Sequence, residues 1–95
     1  MIISITSSHV TPEQSKQLEN FLNSFLPRMR KLPGVIAIYH YARPDKEDDS
    51  TLVIWESEQA LKAYREGELV KEAIAFEKKL GLPGTRETYP VLFST

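Results

Sequence analysis

Apolar spacing divides the chain into seven elements. The stretch "IISIT" opens as a strand of β-branched residues. His9 and Val10 follow, then "TPEQ", in which Thr11 is an N-cap, Pro12 the first helical residue and Gln14 the residue that closes a capping box. Leu18, Phe21, Leu22, Phe25 and Leu26 form one stripe at helical spacing, and the stripe continues at Met29 and Leu32. This predicts a helix kinked at Pro27 and reaching about residue 31, with Arg28, Arg30 and Lys31 near its C-terminus, where cations suit the macrodipole. Pro33 and Gly34 supply the stop and the turn. "VIAIYHYA" (35–42) is a second strand, "RPDKEDD" a solvated hairpin loop and "TLVIWE" (51–56) a third strand. Ser57 caps a helix over "EQALKAYRE" that turns Ala60, Leu61 and Tyr64 inward. Gly67 breaks it, and a further helix carries Leu69, Ala73, Phe76 and Leu80 on one face before Gly81 at its C′ position. "RETYPVLFS" (86–94) is a fourth strand, which Pro90 confines to a sheet edge because it cannot donate to a ladder.

The order strand, helix, strand, strand, two helices, strand gives a ferredoxin-like α+β fold: an antiparallel sheet with helices on one face, in a single domain over residues 1–95. Its middle strands are apolar on both sides. Val35, Ala37, Tyr39 and Tyr41 alternate with Ile36, Ile38 and His40, while Leu52 and Ile54 alternate with Val53 and Trp55. Helices cover one face only. A second copy of the chain, laid sheet to sheet, is the economical cover for the other, so a homodimer is expected.

Composition then removes classes of function. The net charge is -1, with 12 basic and 13 acidic residues, so there is no basic stripe to neutralise phosphates and no nucleic-acid partner is expected. The absence of cysteine excludes disulfides, thiolate nucleophiles and Cys-based metal sites, and fits a reducing compartment. The N-terminal ten residues lack the basic and long apolar regions of a signal peptide, and no apolar run approaches the ~20 residues of a membrane span. A cytoplasmic protein away from the membrane is the expectation. "DKEDDS" lacks the glycine and ligand spacing of an EF-hand, no glycine-rich phosphate loop occurs, and two histidines without cysteine argue against a metal centre.

The side chains left for chemistry are few. Trp55 serves either as packing at a strand end or as a flat wall for an aromatic ligand, with its indole N–H as donor. His40 is a candidate general base toward a phenol or quinol, or else a histidine satisfied by a carbonyl. Tyr39, Tyr41 and Tyr64 are hydrogen-bond donors to a ligand oxygen or amphipathic packing residues. Whether His40 or the Tyr39/Tyr41 pair shares a face with Trp55 depends on hairpin register, because a one-residue slip reverses it. His9 reads as a surface residue.

"LPGVIAIYHY", a short acidic loop and "LVIWESEQALKAY" together resemble the antibiotic biosynthesis monooxygenase type of domain, within the dimeric α+β barrel superfamily. The resemblance spans nearly the whole chain and is most specific from Leu32 through Tyr64. It implies two sheets paired into a barrel and, in each protomer, a pocket between sheet and helices. The family includes cofactor-independent oxygenases of polycyclic phenols, quinol oxygenases and heme-degrading enzymes. Trp55 matches the strand-end tryptophan that lines the pocket in active members, and Tyr64 falls where others carry a histidine or an aromatic. Thr51 stands where phenol-oxidising members have a substrate-binding asparagine. The heme-holding histidine of the later helix corresponds to about Ile74, no histidine follows His40 and residues 1–8 lack the asparagine of those enzymes, so no heme or other cofactor is expected. The resemblance thus implies a pocket near Trp55, Tyr64, Tyr39, Tyr41 and Thr51 for a phenolic or quinol-like molecule. If catalytic, such a protein is a cofactor-independent monooxygenase whose substrate anion supplies the electrons. The alternative is a non-catalytic dimeric binding or interaction module.

Overall fold

The computed structural model describes residues 1–43, 45 and 47–95. Pro44 and Lys46, in the predicted hairpin loop, lie outside the described residues. The elements are β1 (Ile2–His9), α1 (Pro12–Arg30), β2 (Val35–Arg43), β3 (Asp48–Trp55), α2 (Glu58–Glu66), α3 (Glu68–Leu80) and β4 (Thr85–Pro90). Their strands form one antiparallel sheet in the order β2-β3-β1-β4, the ferredoxin-like arrangement.

Local chemistry sets the boundaries. Thr11 and Gln14 close the capping box reciprocally: the Gln14 amide donates to Thr11 Oγ1 at 3.2 Å, and the Thr11 amide to Gln14 Oε1 at 2.9 Å. α1 then runs on through Pro27 to Arg30. The Gln14 side-chain amide also donates to the Leu80 carbonyl at 3.1 Å, tying the start of α1 to the end of α3. Farther along, Arg28 grips Glu72 of α3 through two hydrogen bonds of 2.8 and 2.6 Å. That exposed pairing holds the Glu72 carboxyl below its ordinary value, chiefly through the hydrogen bond from Arg28.

Three boundaries differ from the sequence reading. β1 continues past Thr6 to His9, because Ser7 and Ser8 pair with Ser50 and Asp49. β3 begins at Asp48, so part of the acidic "solvated loop" is strand: Asp49 lies opposite both Ser8 and Ala42 and is only 4% exposed. β4 ends at Pro90 rather than at Ser94. It does lie at the sheet edge, and after the Val91 amide donates to the Met1 carbonyl at 3.0 Å the chain leaves the sheet, with Leu92 and Phe93 exposed.

A bulge corrects the expected face assignment. Val35 pairs with Trp55 and Ala37 with Ile54, so Ile36 is an extra residue on β2. Beyond it, Ile38 and His40 share the helix-facing side with Val35, while Ala37, Tyr39 and Tyr41 face away. The hydrophobic core of Ile2, Phe25, Met29, Val35, Val53, Trp55 and Leu61 fills one end of the layer between sheet and helices.

The turn into β2 packs tightly. Gly34 has φ of 85°, and a Cβ there would lie 2.4 Å from the Ala60 Cβ on α2. Left-handed backbone costs an L-residue about 1–2 kcal/mol, and forced overpacking about 1–3 kcal/mol. Gly34→Ala is therefore expected to destabilise the fold by about 2–5 kcal/mol. Urea unfolding followed by far-UV circular dichroism measures this; an unshifted midpoint would contradict the close approach of turn and helix.

Candidate functional site

The other end of the same layer has the opposite polarity. A sheet face covered by helices is ordinarily apolar. Here register brings Ser8 beside Asp49, Thr6 beside Thr51 and Thr51 beside His40, all on the covered side, with Arg86 of β4 across from Thr6. The uncovered side carries Ile3, Ile5, Leu52 and Ile54. Above the polar floor, α1 and α3 supply an aromatic ceiling. Phe21 stacks on Phe76 with ring centroids 4.2 Å apart and planes 9° from parallel, and lies 5.0 Å from Phe25.

Floor and ceiling enclose a cavity of about 80 Å3. That is room for several waters at about 10–15 Å3 each, and about half the 150 Å3 of an engineered apolar cavity that admits benzene. A second cleft of about 190 Å3 opens beside it, between α2, α3 and the β1–β4 edge. Ser4, Thr6, Tyr64 and Arg86 line both spaces and so form the partition between them. A larger open groove of about 410 Å3 follows Leu32, Gly34, Ala60 and Gly67. Among the described residues, none of the buried polar side chains of the sheet lines it.

His40 is the unusual group. Its Nδ1 lies 3.0 Å from Thr51 Oγ1. Its Nε2 is fully buried and has no hydrogen-bond partner among the described residues. Asp49 Oδ2 is 3.5 Å from that nitrogen, close enough for charge interaction but not aligned as a hydrogen bond, and it instead accepts from Ser15 Oγ at 2.8 Å. Most buried polar atoms are paired, so an unpaired ring nitrogen on a residue that lines the cavity is unusual. At the partition, Arg86 donates to both Glu77 carboxylate oxygens at 3.0 and 2.8 Å. Tyr64 is pushed up to about 12, first by burial, against the pull of Arg86 and with the help of Glu77. It is a neutral hydroxyl at any ordinary pH.

The residues singled out in the sequence separate in space. Thr51 and Tyr64 line the cavity together with His40. Trp55 is fully buried in the core next to it, its indole N–H donating to Ser4 Oγ at 2.9 Å and its ring 5.4 Å from Tyr64. It touches the cavity walls from behind rather than lining the space. Tyr39 and Tyr41 lie on the opposite face, 60% and 40% exposed. His9 is exposed and bonded to Asp48 at 3.1 Å. Asp49, Ser8, Ser15, Glu77 and Arg86 were not marked by the sequence. For Asp49 a signal existed: period-two alternation runs back from Trp55 through Val53 and Thr51 to Asp49. No group of three or more His, Asp or Glu side chains placed to hold a metal occurs among the described residues, and no helix among them is long and apolar enough to cross a membrane.

The model of the antibiotic biosynthesis monooxygenase family matches residues 1–75. A comparison with curated proteins finds no match. Solved structures share the fold at low identity. A Deinococcus radiodurans protein described as a candidate antibiotic biosynthesis monooxygenase is 16% identical, with TM-score 0.89 over 100% of this chain and 96% of its own. Rv0793 from Mycobacterium tuberculosis is 17% identical, with TM-score 0.84 over 98% and 96%. The ActVA-Orf6 monooxygenase of Streptomyces coelicolor, in complex with the ligand nanaomycin D, is 16% identical, with TM-score 0.76 over 99% and 89%.

Proposed function

We propose that this chain, which belongs to the antibiotic biosynthesis monooxygenase family, binds a small phenolic or quinol-like molecule between its sheet and helices and oxidises it without a cofactor. The observation that carries this reading is the inverted polarity of the sheet. Hydroxyls, a histidine and a carboxylate sit under the helices, where a purely structural layer would place aliphatic side chains. The ligand's ring lies against Phe21, Phe25 and Phe76, and its oxygens meet the polar floor. Since the cavity holds only about 80 Å3, entry displaces Tyr64 and Arg86 and joins the inner space to the neighbouring cleft. The Streptomyces neighbour with nanaomycin D bound supports a ligand-binding role for the fold.

In the oxidation, the ligand hydroxyl loses its proton and the resulting anion gives electrons to dioxygen. One oxygen atom ends on a ring carbon as a quinone carbonyl. The other leaves as water with the hydroxyl proton and the hydrogen displaced from that carbon, so the ligand itself supplies all four electrons. In this reading His40, which lines the cavity, receives the hydroxyl proton. The chain acts as a homodimer, paired through the uncovered face of Ile3, Ile5, Leu52 and Ile54, and its lack of cysteine suits the cytoplasm.

The test is titration with small phenols and quinols, followed by the fluorescence of Trp55, the only tryptophan, together with oxygen uptake. Saturable quenching with uptake is expected. The narrow cavity favours a second reading, a non-catalytic binding module, and saturable quenching without uptake would select it.

A further inference from the structure

We propose that the cleft between α2, α3 and the β1–β4 edge binds the carboxylate of a small apolar acid, with Arg65 as the receiving cation. This goes beyond the reading of the inner cavity and does not depend on what fills it. Two arginines and two acids border the cleft, and they do not cancel in space. Arg86 donates to both Glu77 carboxylate oxygens through one nitrogen, so that pair is neutral. Glu87 lies opposite Ile5, and strand alternation turns its carboxylate to the uncovered side of the sheet, where it accepts from the Tyr89 hydroxyl. Glu66 and Glu68, close to Arg65 along the helices, pair with Lys62 and Lys71. Arg65 is the cation left over. Its Nη2 donates to Thr88 Oγ1 at 2.8 Å, and it has no carboxylate partner among the described residues.

That single hydrogen bond holds the guanidinium against β4, two residues from Arg86 on the same side of the strand. Its remaining N–H groups are free for a ligand, and their planar fork matches a carboxylate. Leu61 of α2 and Val70 and Ile74 of α3 give the cleft apolar walls; Leu61 and Val70 are buried, while Ile74 is 37% exposed. The cleft holds about 190 Å3, more than the 150 Å3 that admits benzene. A ring on the apolar walls with its carboxylate at Arg65 therefore uses both halves of the site. An amide of the same shape keeps the apolar contact and forfeits the charge-assisted hydrogen bonds. Inorganic phosphate keeps the charge and leaves the walls uncovered. A small acid held here stands against Tyr64 and Arg86, on the outer side of the partition.

The experiment titrates the 15N-labelled native protein and Arg65→Gln with benzoate, benzamide and inorganic phosphate, following amide chemical shifts. Arg65 is exposed and glutamine is a good helix former, so the variant keeps its fold, which its unshifted remaining spectrum checks. The native protein is expected to bind benzoate about five- to twentyfold tighter than benzamide, and tighter than phosphate, with shifts centred on residues 61–74 and 86–88. Arg65→Gln should bring benzoate and benzamide within about twofold of each other. Equal affinity of the native protein for the two, or an undiminished preference in Arg65→Gln, would overturn the assignment. So would benzoate shifts centred elsewhere, or no binding of benzoate at all. Phosphate binding as tightly as benzoate would overturn the apolar acid as the ligand. The phenol titration followed by Trp55 fluorescence reads the inner cavity separately, so either reading can fail without the other.

Discussion

Ile54→Asp is expected to turn the proposed homodimer into a folded monomer. Ile54 stands on the uncovered sheet face, opposite Ile3 of β1 and Ala37 of β2, with Leu52 and Ile5 next along the same side. Ile3, Ile5, Leu52 and Ile54 make this face an apolar patch of a kind soluble monomers rarely carry. Pairing it with the same face of a second chain brings every residue into the interface twice. An unpaired aspartate buried there costs about 3–5 kcal/mol in each subunit. The two copies together cost about 6–10 kcal/mol, so at 1.4 kcal/mol per tenfold the dissociation constant rises by about ten-thousandfold or more. In the monomer the same aspartate faces water and costs the fold little, so the far-UV circular dichroism should not change. Sedimentation velocity at micromolar concentration, with Lys62→Asp on the outer side of α2 as control, distinguishes the outcomes. A native chain that sediments as a monomer, or an Ile54→Asp chain that remains a dimer, would remove the homodimer from the proposal.

How far the sequence foretold this architecture differs from element to element. The helices were legible because their signals are local: the capping box of Thr11 and Gln14, the apolar stripe from Leu18 to Met29 and the C′ glycine at Gly81 each act within a few residues. The faces of β2 were not, because one extra residue at Ile36 shifts everything after it, and nothing in "VIAIYHYA" marks which residue bulges. The bulge put His40 over the cavity and left Tyr39 and Tyr41 outside. Asp49 was missed for a different reason. A run such as "DKEDDS" matches a solvated loop by composition, which outweighs the period-two alternation from Trp55 to Asp49 until the ladder with β1 fixes which members point inward. Ser4, Thr6 and Ser8 were legible as residues but not as a site. Polar side chains on a strand are normally assigned to solvent, and only the position of α1 shows that they lie beneath it.

Trp55→Ala should be the most destabilising single change in the core. Among the described residues Trp55 is the one large side chain with no exposed surface, and it joins Ile2, Val35, Val53 and Leu61 to Phe25 and Met29 of α1. Truncating a buried tryptophan to alanine costs about 3–5 kcal/mol, through lost burial and the cavity left behind. Against a typical total of about 5–15 kcal/mol, that is about a fifth of the stability or more. Two losses add to the void: the Ser4 hydroxyl loses its 2.9 Å donor, and Tyr64 loses the ring it rests on. Trp55→Phe refills most of the volume and gives up mainly the indole hydrogen bond, worth about 0.5–1.5 kcal/mol, so it should fall well short of the alanine variant. Because each variant removes the only tryptophan, unfolding has to be followed by circular dichroism in urea. The pair also separates packing from ligand contact. Trp55 supports Tyr64 from behind the cavity, so Trp55→Phe should keep phenol binding within a few fold of native while Trp55→Ala loses it along with stability. A cost below about 1 kcal/mol for Trp55→Ala would contradict the buried position of the ring. A large loss of phenol affinity in a Trp55→Phe chain of near-native stability would place the indole in direct contact with the ligand.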